Sequence, residues 1–354
     1  CTFDGIVYDV ERVMMECLAI KPDMIFLWDE AWFAFAVCHP IYRQRTAMAS
    51  AKKLAEAMKT DDYAKRYAEF KSGFGAKDWD NDKKLLDTRL MPDPAKARVR
   101  VYATHSTHKT LTSLRQGSMI HVWDQDFKDK AEEAFHEAYM THTSTSPNYQ
   151  ILASLDVGRR QVEMEGYELV QRQLELAMTL REQVLNHPLL KKYFRFLRVS
   201  DLVPLEYRES AVESYYNAET GWNNLDMAWR TDEFAMDPSR ATLCIGATGV
   251  DGDTFKNKYL MDKYGIQINK TSRNTVLFIT NIGSTRSAVA YLLEVLVKIA
   301  RDVDQRVADM SSIEHSIHGK RVRSLTLEQP PLPNFSAFHA AFRVSSAVGP
   351  AQTR

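Results

Sequence analysis

Hydrophobic and polar positions along this chain follow two periods, and the places where one gives way to the other predict its elements. Val99, Val101 and Ala103 alternate with Arg98, Arg100 and Tyr102, the pattern of a strand, and Leu111 and Leu114 then begin a helical spacing. A strand-to-helix junction is predicted between them, with the helix running through Thr110 to Gln116. Upstream, Val10, Val13, Met14 and Cys17 recur at helical intervals behind a capping Asp9, and Lys21-Pro22-Asp23 breaks that helix. The apolar run Met24-Ile25-Phe26-Leu27-Trp28 follows, the mark of a strand buried on both faces of a parallel sheet. Residues 45–74 carry two stripes, Ala47-Ala51-Leu54-Met58 and Tyr63-Tyr67-Phe70, which predict two short helices before a charged connection.

Farther on, a strand is predicted over 118–123 and helices over 127–138, 151–160 and 167–185, the last with Val170, Leu174, Ala177 and Met178 on one face. From about Asn186 the segments shorten, divided by Pro188, Pro204 and Pro238. Strand-like stretches at 240–246 and 275–282 alternate there with helical ones at 255–264 and 287–307, an α+β pattern. The expected organisation is a large domain over 1–186, a small α+β domain over 187–328, and a proline-stiffened linker over 329–354.

Composition narrows the chemistry. Lys plus Arg and Asp plus Glu both number 46, so net charge directs the chain neither to nucleic acid nor to an acidic membrane. The most apolar stretches contain Asp29, Glu30 and Glu294 and do not read as membrane spans. Cys1, Cys17, Cys38 and Cys244 lack Cys-x-x-Cys spacing, which fits buried free thiols in a reducing cytoplasm. His105 and His108 lack further close ligands, so no metal is expected.

Lys109 lies at the predicted strand-to-helix junction, where backbone N–H groups with the hydroxyls of Ser106 and Thr107 suit a phosphate. A lysine beside a phosphate suggests pyridoxal phosphate, whose ring nitrogen needs a nearby carboxylate to stay protonated. Asp29, at the carboxyl end of the apolar strand, suits that part, though a cap on the following helix is the alternative reading.

The stretches Trp28-Asp29-Glu30-Ala31-Trp32-Phe33-Ala34, Ser106-Thr107-His108-Lys109 and Gln116-Gly117-Ser118-Met119-Ile120-His121 closely resemble the bacterial ornithine/lysine/arginine decarboxylases. These are pyridoxal-phosphate enzymes of the aspartate-aminotransferase fold type. The resemblance implies an α/β large domain with a mainly parallel sheet, interrupted by a helical insertion at about 45–97, plus the small domain. It implies that Lys109 forms the Schiff base, Asp29 pairs with the pyridine nitrogen, Ser106 and His108 contact the phosphate, and Ala31 and Trp32 line the cofactor site. Lys109 or His108 would return a proton after decarboxylation.

The run 138–147 is also similar to this family, where Thr145 would reach a neighbouring subunit's cofactor in a homodimer or higher oligomer. Such a hydroxyl-rich loop read alone is a solvated turn. The segment 260–273 resembles one near substrate, and the alternative for Lys270 and Arg273 is a charged sheet edge. Compared with the family, the sequence is expected to be truncated at both ends, with the phosphate loop and a ring-stacking histidine lying upstream.

The expected reaction is decarboxylation of a basic amino acid, arginine ahead of lysine and ornithine, with Asp232 and Glu233 as candidate partners for a guanidinium. Aminotransfer and a non-catalytic regulatory role are the competing readings.

Overall fold

The computed structural model describes residues 1–215 and 223–327, so the expected linker at 329–354 lies outside the described residues. Its first sheet joins β2 (Ile25–Asp29), β3 (Arg100–His105) and β4 (Met119–Asp124). Strand β2 runs parallel to β3, with Asp29 opposite Thr104, whereas β4 is antiparallel to β3. The expectation of a mainly parallel sheet is thus corrected for this chain: one pair is parallel and one antiparallel. A parallel return needs a crossover, usually helical, and the β3–β4 connection holds a single helical turn.

Helix α1 (Val10–Ile20) is capped as expected, Asp9 accepting from the Arg12 N–H at 3.1 Å. It packs with α2 (Ala47–Ala57) on one face of this sheet, burying Met14, Leu18, Ala51, Leu54, Phe26, Val101 and Ala103. The other face of β2 is open, with Ile25 54% and Leu27 73% exposed, so burial on both faces is also corrected. After α2 comes α3 (Asp61–Gly73), which is largely exposed but anchors Tyr63 in the same core.

The helix expected from Thr110 to Gln116 is instead α4 (Thr107–Thr110), one turn long, and Gln116 adopts a positive φ of 74°. Tertiary contacts replace helical ones in the segment that follows. Thr112 Oγ1 donates to Gln161 at 2.6 Å and the Leu114 N–H donates to Ser154 Oγ at 2.9 Å. Both partners lie on the long helix α6 (Tyr149–Asn186), which follows α5 (Glu132–His142) and unites two helices expected separately. Gly158 makes this contact possible, since a Cβ there would stand 1.8 Å from Thr112 O.

The C-terminal half of α6 supplies two cores. Val170, Leu174 and Met178 enter a central cluster with Phe33, Phe35, Tyr42 and Trp229. Leu176, Leu180 and Val184 enter the core of an antiparallel sheet ordered β5 (Arg195–Phe196), β7 (Arg240–Cys244), β9 (Thr275–Ile279), β8 (Lys270–Thr271). The central cluster also takes α7 (Asn223–Thr231), and α8 (Arg286–Ala308), over the expected helical stretch, covers the sheet with an apolar stripe at Val289, Leu296, Ile299 and Val303. Beyond it, α9 (Ser312–Thr326) starts at a Ser311–Glu314 capping box. A short ribbon of β1 (Ile6–Tyr8) with β6 (Phe234–Met236) ties the first residues to this half. None of the helices among the described residues is long and apolar enough to cross a membrane.

Gly158→Ala is expected to destabilise the chain by about 1–3 kcal/mol through overpacking against rigid backbone. Gly73→Ala, with open space around its Cα, should stay within about 1 kcal/mol of the original. Urea denaturation of the two variants checks the contrast.

Candidate active site

Parallel pairing puts the carboxyl ends of β2 and β3 side by side, and the segments leaving those ends carry the residues singled out above. The Glu30 N–H extends the pairing by donating to Thr104 O at 3.0 Å. Asp29 Oδ1 accepts from the Ala31 N–H at 2.9 Å, turning the chain into Trp32. From the neighbouring strand, Ser106 leads into α4, whose Lys109 N–H donates back to Ser106 O at 3.0 Å. The half-buried Lys109 then sets its Nζ 4.9 Å from the centroid of the Trp32 ring. Residues 77 positions apart in sequence thereby meet across one sheet edge.

Other expected members stand differently. Asp29 is exposed rather than buried, because its strand is the edge of a sheet with one open face, and its carboxylate makes a local turn rather than a helix cap. His108 Nδ1 lies 2.9 Å from Gly117 O; a carbonyl only accepts, so Nδ1 carries hydrogen and Nε2 is the other available site. The Ser106 side chain makes no capping bond, while the Thr107 and Thr110 hydroxyls are buried without hydrogen-bond partners among the described residues. Thr145 is exposed in the loop between α5 and α6, and no hydrogen bond joins it to Lys109 among the described residues.

The acidic pair proposed for the far end of a substrate is already engaged. Asp232 is fully buried and accepts from Ser210 N–H and Oγ at 2.7 and 2.8 Å, and Glu233 pairs with Arg12 at 2.9 Å. The Ser210 turn and α1 claim them. Lys270 lies on the edge strand β8, paired with Asp4 at 2.8 Å, and Arg273 bonds Ser324.

Sequence reading missed a buried polar array on the helix-covered face of the same strands. Glu30, 4% exposed, accepts from the Ala47 N–H at 2.7 Å and lies 2.8 Å from His105 Nε2. The His105 and His121 rings are 4.3 Å apart. Burial, and then the neighbouring His105, holds the His121 imidazole below its ordinary value of 6.5. The alternation of a strand places Glu30 opposite to Asp29 in direction, and would have marked the array had the register been known.

A family model described as "Orn/Lys/Arg decarboxylase, major domain" matches residues 85–288. The chain belongs to this family. Among its relatives, lysine decarboxylase LdcA of Pseudomonas aeruginosa is 25% identical over 357 residues, which cover 97% of this chain and 41% of that protein. The inducible lysine decarboxylase of Escherichia coli K12 is 30% identical over 223 residues, 59% of this chain and 30% of the relative. The biodegradative arginine decarboxylase of the same organism is 23% identical over 334 residues, 86% and 38% respectively.

In fold, the crystal structure of the Francisella novicida lysine decarboxylase LdcF matches with a TM-score of 0.54 at 22% identity, over 92% of this chain and 39% of that one. Lysine decarboxylase A from Pseudomonas aeruginosa matches with 0.56 at 21%, over 92% and 43%. This Orn/Lys/Arg decarboxylase family member thus spans about two fifths of the length of the first of these relatives. Ser106, His108 and Lys109 fall within the matched span, and the fold brings Asp29 and Trp32, which precede it, to the same place.

Replacing Glu30 with Leu strands two buried donors, the Ala47 N–H and His105, and is expected to destabilise the chain by roughly 2–4 kcal/mol in urea denaturation. His121 has a separate signature. Its folded value is depressed, so its contribution is full above the unfolded value of 6.5 and is lost as the pH falls through the folded one. His121→Gln should flatten that part of the stability curve when unfolding is followed from about pH 7 to pH 5.

Proposed function

We propose that this chain supplies the lysine-bearing half of a pyridoxal-phosphate-dependent active site that decarboxylates a basic amino acid. The observation that carries this reading is the half-buried Lys109 amine against the Trp32 ring, at the carboxyl end of the parallel pair and inside the family's matched span. The residues present suit that cofactor. Lys109 offers a primary amine for an aldehyde, Trp32 a flat apolar wall, and the orphaned Thr107 and Thr110 hydroxyls polar atoms in need of partners.

When bound, pyridoxal phosphate supplies an electron sink for the bonding pair left behind by carbon dioxide. The chain's own groups then have separate tasks. Lys109 would hold the cofactor through its amine, the group a substrate amine would replace. Asp29 favours a protonated ring nitrogen, a task that requires the rest of the site to cover its exposed carboxylate. Ser106 serves the phosphate, and Ala31 with Trp32 bounds the ring. His108, tethered through Nδ1 to Gly117, presents Nε2, so it or Lys109 returns the proton to carbon.

The subunit reading rests on the surface around Thr145. Tyr139 and Met140 on α5, and Tyr149 and Leu152 on α6, are exposed large apolar side chains on both sides of the 143–148 loop. Such a surface suits burial against a second copy, through which Thr145 reaches the partner's cofactor.

For the substrate, the preference for arginine loses its physical basis with the engagement of Asp232 and Glu233. We therefore place lysine first, as the substrate named for the relative that covers 97% of the chain, followed by arginine and ornithine.

In the full-length protein, borohydride should fix pyridoxal phosphate on Lys109, located by peptide mass mapping, and Lys109→Ala should abolish carbon dioxide release. Asp29→Ala should lower turnover by about a hundredfold or more, as expected when the cofactor's electron sink is weakened. An adduct on a different lysine, or near-normal turnover without Asp29, would overturn the assignment. A panel of lysine, arginine and ornithine, read as released carbon dioxide, tests the substrate order.

A further inference from the structure

Arg240 opens the small-sheet strand β7, yet its guanidinium reaches across to the turn after β2. Its Nη2 donates to Trp32 O at 2.7 Å, and its Cζ lies 5.1 Å from the centroid of the same indole that Lys109 approaches. One aromatic ring is therefore shared by two cations from different halves of the chain.

The arrangement is expensive for a merely structural contact. Arg240 is only 1% exposed; the Asp237 carboxylate stands 3.5 Å from Nε, and among the described residues neither Nε nor Nη1 has a hydrogen-bond partner. Burying a guanidinium so sparsely paired is unfavourable, and burial pulls its proton affinity down against the opposing charge of Asp237. A hydrophobic side chain of similar length would fill the space at less cost.

What that side chain would lack is a cation that lies over the indole while bonding the indole's own backbone. The surroundings maintain the pose. Asp237 is held by Tyr42 Oη at 2.9 Å and by Ser239, so it has little freedom to move toward a better pair. Gly5, at φ 97°, backs Arg240 so closely that a Cβ would meet its Cβ and Cγ at 2.8 Å. Phe3 adds an edge-on contact to Trp32 at 5.3 Å. Trp32 is thus fixed in backbone and ring, and Lys109 meets a wall whose place is set by the small-sheet half.

We propose that Arg240 is a positioning residue that acts through Trp32 to hold Lys109 in the pose from which it captures and releases the cofactor. The proposal rests on the reading of Lys109 as the cofactor-bearing lysine. In this reading Arg240 acts on Lys109 only through Trp32, coupling the placement of β7 to the lysine.

The test uses the full-length protein with Arg240→Met, Arg240→Lys, Trp32→Leu and the Arg240→Met/Trp32→Leu double variant. In the cofactor-free protein, hydroxyl-radical oxidation mapped by mass spectrometry reads Trp32 directly, with exposed Trp79 as reference and buried Trp229 as a sentinel for unfolding. Arg240→Met is expected to raise Trp32 oxidation about threefold or more relative to Trp79 while Trp229 stays protected. Formation of the borohydride-fixed adduct on Lys109 should slow by about tenfold, the scale expected of a misplaced reacting group. The double variant should be no slower than Trp32→Leu, because the two residues act in series.

Arg240→Lys keeps a charge and loses the guanidinium's bond to Trp32 O, so a smaller change in the same direction is expected, and this variant decides the matter if Arg240→Met exposes Trp229. Unchanged Trp32 protection, or slowing that multiplies in the double variant, would overturn the proposal. Should the original protein carry its adduct on another lysine, the functional reading fails, whereas the oxidation result still reports whether Arg240 holds Trp32.

Discussion

The parallel pairing of β2 with β3 is the constraint on which the candidate site depends. Local sequence can end one strand at Asp29 and another at His105, but only their shared direction brings both carboxyl ends to one edge. The chain between them is long and largely exposed after α2, and loop-closure entropy grows only slowly with length, so an excursion there leaves the pairing affordable. What holds the register is one-sided burial: a slip of β2 by one residue would expose Phe26 and put Asp29 into the helix-covered core.

A second set of contacts joins the halves through buried charge rather than apolar area alone. Arg45 donates to the carbonyls of Trp229 and Asp232 at the end of α7 and to those of Val7 and Glu233, satisfying groups that a helix terminus leaves open. Arg181 spends its guanidinium on the carbonyls of Leu197, Pro238 and Arg240, and burial brings it down to about 10. These arginines stiffen the backbone from which Asp237 and Arg240 project. By contrast with Arg240, each has several acceptors, which is why the sparse pairing of Arg240 stands out.

The long helix α6 sets the other boundary of the site. Its glycines permit close approach, Gly158 to Thr112 and Gly166 to Cys38, so the segments following α4 and Trp32 both rest on one rigid rod. The Lys109 turn is consequently short: the residues after Thr110 find partners on α6 in place of their own helix. Helical propensity was a weak guide there, since two side-chain bonds and a close backbone contact outweigh a few tenths of a kcal/mol per residue.

Read alone, the sequence determined the parts that depend on neighbours a few positions away. The helices at 10–20, 47–57 and 61–73, the capping Asp9, the stripe along α8, and the strand bearing Ala103 all follow from spacing that one element imposes on its own side chains. The motifs around Asp29 and Lys109 were legible for the same reason, being contiguous. Tertiary structure decided what spacing does not encode: that β4 returns antiparallel, that Asp29 faces outward while Glu30 turns in to His105, that Asp232 is claimed by Ser210, and that Arg240 lies against Trp32. Each of those outcomes depends on which distant segment packs against the residue, and burial then rewards or penalises a polar group according to the partner it finds there.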